Sequence, residues 1–104
     1  MFFAMNRFRV AIGQEEAFEA VWKARDSSLS EMPGFIGFHL LRGESVPDEG
    51  YTPFISKSSW ETREAFVAWT NSENFRAAHR SAGSNKAMYV GPPKFEGYTV
   101  VEGA

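Results

Sequence analysis

The segment 2–11 alternates along its whole length, and that alternation constrains the rest of the chain. Phe2, Ala4, Asn6, Phe8 and Val10 fall on one side, and Phe3, Met5, Arg7 and Arg9 on the other. Successive side chains of a strand point to opposite sides, so this reads as a strand with two different faces, ended by Gly13. The first row is apolar except at Asn6. Asn is disfavoured in strands, and a buried amide there needs partners or costs about 1–3 kcal/mol.

The following residues supply elements to pack on such a strand. Glu15 and Glu16 put acidic residues in the first turn of a helix. Phe18, Val21, Trp22, Arg25 and Leu29 recur at spacings of three and four, giving one helical face to about Ser30. Pro33-Gly34 is a turn signal, and the almost wholly apolar run Phe35 to Leu41 reads as a central strand. Residues 43–50 form a loop. Tyr51 to Trp60 reads as a third strand, with Pro53 placing its start near an edge. Thr62 is an N-cap for a helix through Thr70, Ser72 a second N-cap, and Gly83 the stop for a helix over 73–82. A loop with Gly91-Pro92-Pro93 leads to a last strand from Phe95 to Val101.

The order is β-α-β-β-α-β, an α+β chain of the ferredoxin-like class with a four-stranded antiparallel sheet and helices on one face. Its 104 residues make one domain, 1–104, with a single core. Nothing in the chain covers the second sheet face, which carries Phe3 and Met5. A two-fold homodimer that buries this face is the simplest remedy. Aromatic residues make up 15% of the chain. So small a core holds only some of them, which points to an interface or a pocket for an aromatic ligand.

Composition narrows the function. A net charge of −2 argues against nucleic acid as the main partner, because phosphate binding needs clustered Lys and Arg. With zero cysteines, disulfides, thiolate catalysis and Cys-ligated metal sites are excluded. No apolar run reaches the roughly 20 residues of a membrane span, and no signal peptide is read, so a cytoplasmic protein is expected. Gly-x-Gly-x-x-Gly after a strand is missing, hence no flavin or nicotinamide fingerprint.

Four residues could carry chemistry. His79, one of two histidines, lies on the buried stripe of its helix with Phe75, Ala78 and Ala82. Trp69 follows Ala65 and Phe66 at helical spacing and faces inward too. Asn6 is the polar break in the first strand, and Arg25 sits one turn beyond Trp22. Taken singly, each has an ordinary explanation: a hydrogen-bonded core histidine, plain core packing, an amide bound to backbone or trapped water, an arginine snorkelling from the helix edge. Taken together, they can line one cavity. An imidazole aimed into an apolar cavity is what an iron porphyrin needs on one axial face.

Met5-Asn6-Arg7-Phe8, Pro33-Gly34-Phe35-Ile36-Gly37-Phe38, Trp60-Glu61-Thr62 through Ala65-Phe66-Val67-Ala68-Trp69, and Ala77-Ala78-His79 together resemble the antibiotic-biosynthesis-monooxygenase superfamily. Within it, the pattern is similar to the IsdG-type haem-degrading monooxygenases. The resemblance covers nearly the whole chain. The Pro-Gly-Phe and Ala-Phe-x-x-Trp elements are common to the superfamily, whereas the combination of Asn6, Trp69 and His79 points to haem. By this resemblance Asn6, Trp69 and His79 would be catalytic. His79 would be the axial ligand of haem iron, the one metal contact. Trp69 would ruffle the porphyrin and expose a meso carbon to oxidation, and Asn6 would donate a hydrogen bond on the distal side. Arg25 would meet the haem propionates, and Trp22 and Phe66 would line the haem. Trp22 departs from the Phe of characterised members and adds bulk there. Haem would be both cofactor and substrate, with dioxygen and an external electron donor, a separate reductase or small reductant, consumed as the ring opens and iron is released.

Other readings use the same cavity. One is a cofactor-independent monooxygenase acting on a polycyclic quinol or phenol. Another is a haem-binding or trafficking protein without turnover, and a third is a dimeric binder of some other small molecule.

Overall fold

The computed structural model describes residues 1–25, 28–73, 75 and 86–104. Its elements are β1 (Phe2–Ala11), α1 (Glu15–Lys23), β2 (Phe35–Arg42), β3 (Tyr51–Trp60), α2 (Arg63–Thr70) and β4 (Lys94–Thr99). Short 3-10 turns occupy Leu29–Glu31, Pro47–Glu49 and Lys86–Met88. The four strands form one antiparallel sheet in the order β2-β3-β1-β4, with both helices on one face. This is the ferredoxin-like arrangement that the element order implies.

The alternation of β1 is as read: Phe2, Ala4 and Val10 are buried on the helix side, while Arg7 and Arg9 are exposed on the other. Register then fixes what stands beside each. Phe2, Ala4, Asn6, Phe8 and Val10 face Trp60, Ser58, Ser56, Phe54 and Thr52 across β3. Two strand assignments are corrected. The apolar run Phe35–Arg42 is an edge strand, not a central one, and β3 is central. Apolar character marks a strand covered on its faces, which says nothing of its hydrogen-bonded neighbours. Pro53 is tolerated in β3 because the pairing with β2 ends there, while that with β1 continues to Tyr51. Gly43 N–H donates to the Pro53 carbonyl at 2.8 Å, Pro53 has no N–H to return, and β2 stops at Arg42.

The first helix is shorter than its periodicity predicts. The N–H of Arg25 donates to Trp22 O at 3.3 Å, tightening the last turn, and Ser28 adopts a left-handed φ of 57°. Leu29 belongs to the next turn and packs against the other end of the sheet. Val21 is exposed rather than on the buried stripe, which narrows to Phe18, Trp22 and Arg25. The second helix starts as expected, with Thr62 Oγ1 accepting the Ala65 N–H at 3.1 Å. Gly34, at φ 80°, lets α2 approach closely: a Cβ there would lie 2.6 Å from Ala65 Cβ. Ser72 Oγ accepts the Phe75 N–H at 3.1 Å, the expected second cap. The helix predicted from there to 82 lies mostly outside the described residues, as does Gly83. The last strand starts one residue earlier than predicted and ends at Thr99.

The core comprises two clusters. One gathers Phe2, Ala4, Trp60 and Trp69 with Phe35, Ala65, Phe66 and Phe75; the other gathers Val10, Phe18 and Phe54 with Phe8, Trp22, Leu40, Met88 and Tyr89. Between them on the sheet lie Asn6 and its neighbour Ser56.

Candidate functional site

Asn6 stands at the midpoint of the helix-side row of β1, flanked by Ser56 on β3 and Phe95 on β4. Neither core cluster includes it. The side chain is half-buried, and no hydrogen bond among the described residues engages its amide. Every buried side-chain nitrogen or oxygen among the described residues has a partner. The amide therefore opens onto the gap between the clusters instead of being sealed in the core.

Aromatic walls flank this gap. On the α2 side Phe66 stacks on Phe95 at 5.6 Å and 8°, and it also touches Phe2 and Trp60. On the α1 side Trp22 stacks on Phe38 at 5.6 Å and 13°, with its edge against Phe8. The guanidinium of Arg25 lies 4.4 Å from the centroid of the Trp22 ring. Burial pulls the Arg25 pKa below the usual guanidinium range, partly offset by the nearby Tyr89. Burial pushes the Tyr89 phenol up, and the charge of Arg25 works against that rise. A groove of about 390 Å³ runs along the β2 side of this wall, lined by Trp22, Phe38, Leu40 and Phe54, with Glu19, Lys23 and Arg42 at its rim. Arg42 is held there by Glu19 at 2.8 Å.

Trp69 faces inward as expected. It is 4% exposed, 6.5 Å from Trp60 and edge-on to Phe75 at 5.5 Å. It shares a cluster with Phe2 and Ala4, which precede Asn6 on the same face of β1. Phe66 belongs to the same helix and forms the wall described above. Trp22 and Arg25 come together on the opposite wall. His79 lies outside the described residues. The other histidine, His39, is exposed on the far sheet face.

Four participants went unnoticed in the sequence. Ser56 and Phe95 beside Asn6, Phe38 beneath Trp22, and Tyr89 near Arg25 are all brought in by pairing between strands. Counting register from β1 could have proposed Ser56. No local signal marks Tyr89, whose place depends on an isolated bridge to Val10.

The arrangement offers two aromatic walls, a neutral amide on the floor and a partly desolvated cation at one edge. It suits a flat, apolar ligand that carries an anionic group.

Comparison with known proteins fits this geometry. The family model described as antibiotic biosynthesis monooxygenase matches residues 1–81. Over 81 residues the chain is 33% identical to the haem oxygenase (mycobilin-producing) of Mycobacterium tuberculosis, a match spanning 78% of this chain and 72% of that one. Among solved structures it superposes on the haem degrader MhuD from M. tuberculosis with two haems bound in its active site, at a TM-score of 0.73 and 27% identity, over 97% of this chain and 96% of that one. It also superposes on SnoaB, a cofactor-independent oxygenase from Streptomyces nogalater, at a TM-score of 0.67 and 21% identity, over 95% of this chain and 91% of that one. At that identity the second likeness speaks for the fold alone.

Proposed function

The chain belongs to the antibiotic biosynthesis monooxygenase family, and from that premise we propose that it is a haem-degrading monooxygenase. The observation that carries this reading is the Asn6 amide, open between the Phe66–Phe95 and Trp22–Phe38 walls with a guanidinium at one end. A tetrapyrrole has the flat apolar body and the carboxylates that these residues accommodate. In this reading residues 1–104 act as one domain.

Bound haem supplies the iron and its oxygen chemistry, and is itself the substrate. The chain's own residues do the rest. His79 would hold the iron through its imidazole. Asn6 would donate an N–H from the sheet floor; a neutral amide orients a ligand there without giving up a proton. Trp69, wedged between Trp60 and Phe75, would be the rigid surface that distorts a bound macrocycle. Phe66 and Phe95 exclude water from one wall. Arg25 binds a propionate through a charge-assisted pair. Dioxygen and electrons would come from outside, the latter from a separate reductase or small reductant, and iron would be a product.

The protein would act as a homodimer in the cytoplasm. The outer sheet face carries Phe3, Met5, Ile55, Leu41 and Tyr98, of which the last two are 42% and 49% exposed. A second copy covering this face removes that apolar surface from water. Among the described residues no helix is long and apolar enough to cross a membrane.

The test is a haemin titration. A saturable Soret band at one haem per subunit, bleached in air after ascorbate is added, is the expected result. A band that persists identifies a carrier, and absence of binding overturns the haem reading. His79→Ala should lose defined axial ligation.

A further inference from the structure

We propose that Ser56 is a second ligand-binding residue of the cleft floor, acting beside Asn6 as a hydrogen-bond donor to a small molecule held there. The proposal rests on the haem reading and names a residue that sets which small ligands of the iron are favoured.

Leu40, Ser56, Asn6 and Phe95 line up across the helix side of the sheet, one on each strand. The ends of this row are apolar and its two middle positions are polar. Opposed side chains on one face of an antiparallel pair have Cβ atoms about 4.5–5.5 Å apart. Ser56 therefore stands within reach of whatever Asn6 binds.

The neighbouring hydroxyls of β3 show what a structural role looks like. Thr52, Ser56 and Ser58 all lie on the helix side. Thr52 Oγ1 donates to Glu15 Oε2 at 2.8 Å and lies 2.7 Å from Ser45 Oγ. Ser58 Oγ accepts the Trp60 indole N–H at 2.9 Å. Those two hydroxyls serve the fold. Ser56 is 5% exposed, and no hydrogen bond among the described residues engages its hydroxyl. Every buried side-chain nitrogen or oxygen among these residues has a partner, so the Ser56 oxygen is the part of the residue that reaches the gap. A largely buried hydroxyl that makes no contact in the fold costs free energy, and a ligand's acceptor offsets that cost.

The hydroxyl rotates to suit its partner, and the amide beside it adds an N–H. Two donors on one acceptor favour a ligand that carries negative charge, because bonds to charged groups are the stronger ones. An anion such as azide gains from both. Carbon monoxide, which stays neutral, gains little.

The experiment loads wild type and three Ser56 variants with haemin. Azide is then titrated into the ferric form and carbon monoxide into the reduced form. Ser56→Ala should weaken azide about fivefold and carbon monoxide less than about twofold. Its carbonyl stretch should move to higher frequency, because a donor to the carbonyl oxygen is lost. Ser56→Thr and Ser56→Val have one shape and differ in the hydroxyl. Azide should stay near wild-type affinity in the first and fall about fivefold in the second. A wild-type azide affinity or carbonyl stretch in Ser56→Ala, or equal azide affinities in the Thr and Val variants, overturns the role of Ser56 while leaving the haem reading intact. If wild type binds no haemin, the haem reading falls and the role with it.

Discussion

The two aromatic clusters beneath the helices draw on similar residues and are finished differently. At the α2 end Trp60 is wholly buried, with its indole N–H donated to Ser58 Oγ at 2.9 Å, and Trp69 is almost as enclosed. The helix above them is capped by Thr62 and drawn in at Gly34. At the α1 end Gln14 provides no side-chain cap, Trp22 is only half-buried, and a guanidinium and a phenol share the apolar surface. Both ends are tightly packed on the sheet, with Val10, Phe18 and Phe54 as buried as Trp60. The difference lies in the outer layer, where the α2 end encloses its second indole and the α1 end leaves Trp22 half-open beside polar groups. The polar row of Asn6 and Ser56 keeps the two apart.

The contrast can be broken most directly by large-to-small substitution. Trp60→Ala should cost about 3–5 kcal/mol in urea unfolding, and Trp22→Ala about half of that, because less of its surface leaves water. Equal losses would mean that Trp22 is as enclosed as Trp60. The next largest effect should come from the row between them. Asn6→Ala should change unfolding free energy by less than about 1 kcal/mol, since its amide has no partner to lose among the described residues, yet slow haem bleaching about tenfold or more with haemin still bound. Normal turnover in that variant would remove Asn6 from the chemistry.

Smaller effects sharpen the comparison at the helix starts. Thr62→Ala should cost about 1 kcal/mol through the lost cap, and Gln14→Ala nearly nothing. The smallest is a pH dependence. The folded Tyr89 phenol has its pKa raised, so its contribution is present below the ordinary phenol range near 10 and is lost as pH rises through the folded value. Urea melts between pH 8 and 11 should show stability falling on the alkaline side, and falling less for Tyr89→Phe. An unchanged alkaline limb would show that the phenol is solvated in the folded state.

Much of the scaffold was legible because its signals are local. The alternation of β1, the Thr62 cap and the inward position of Trp69 depend on residues a few positions apart. Where reading failed, the deciding interaction was not local. The run Phe35–Arg42 looked central because it is apolar, but its partners are set by where β1 inserts. The first helix looked longer because Leu29 continued its spacing; Ser28 turns left-handed, and Leu29 packs on the opposite cluster instead. Trp22 stacks on Phe38 of β2, a contact that its own segment does not announce.

By itself, then, the sequence determined the elements, their order and the one polar residue on the buried row of β1, since periodicity and caps act within a turn or a strand. Only the tertiary structure decided which residues gather around the cleft. Ser56, Phe95, Phe38 and Tyr89 arrive through strand register and a long-range bridge. A shift of one residue in that register would turn each row to the other face of the sheet. The cleft is a property of that pairing rather than of any segment that lines it.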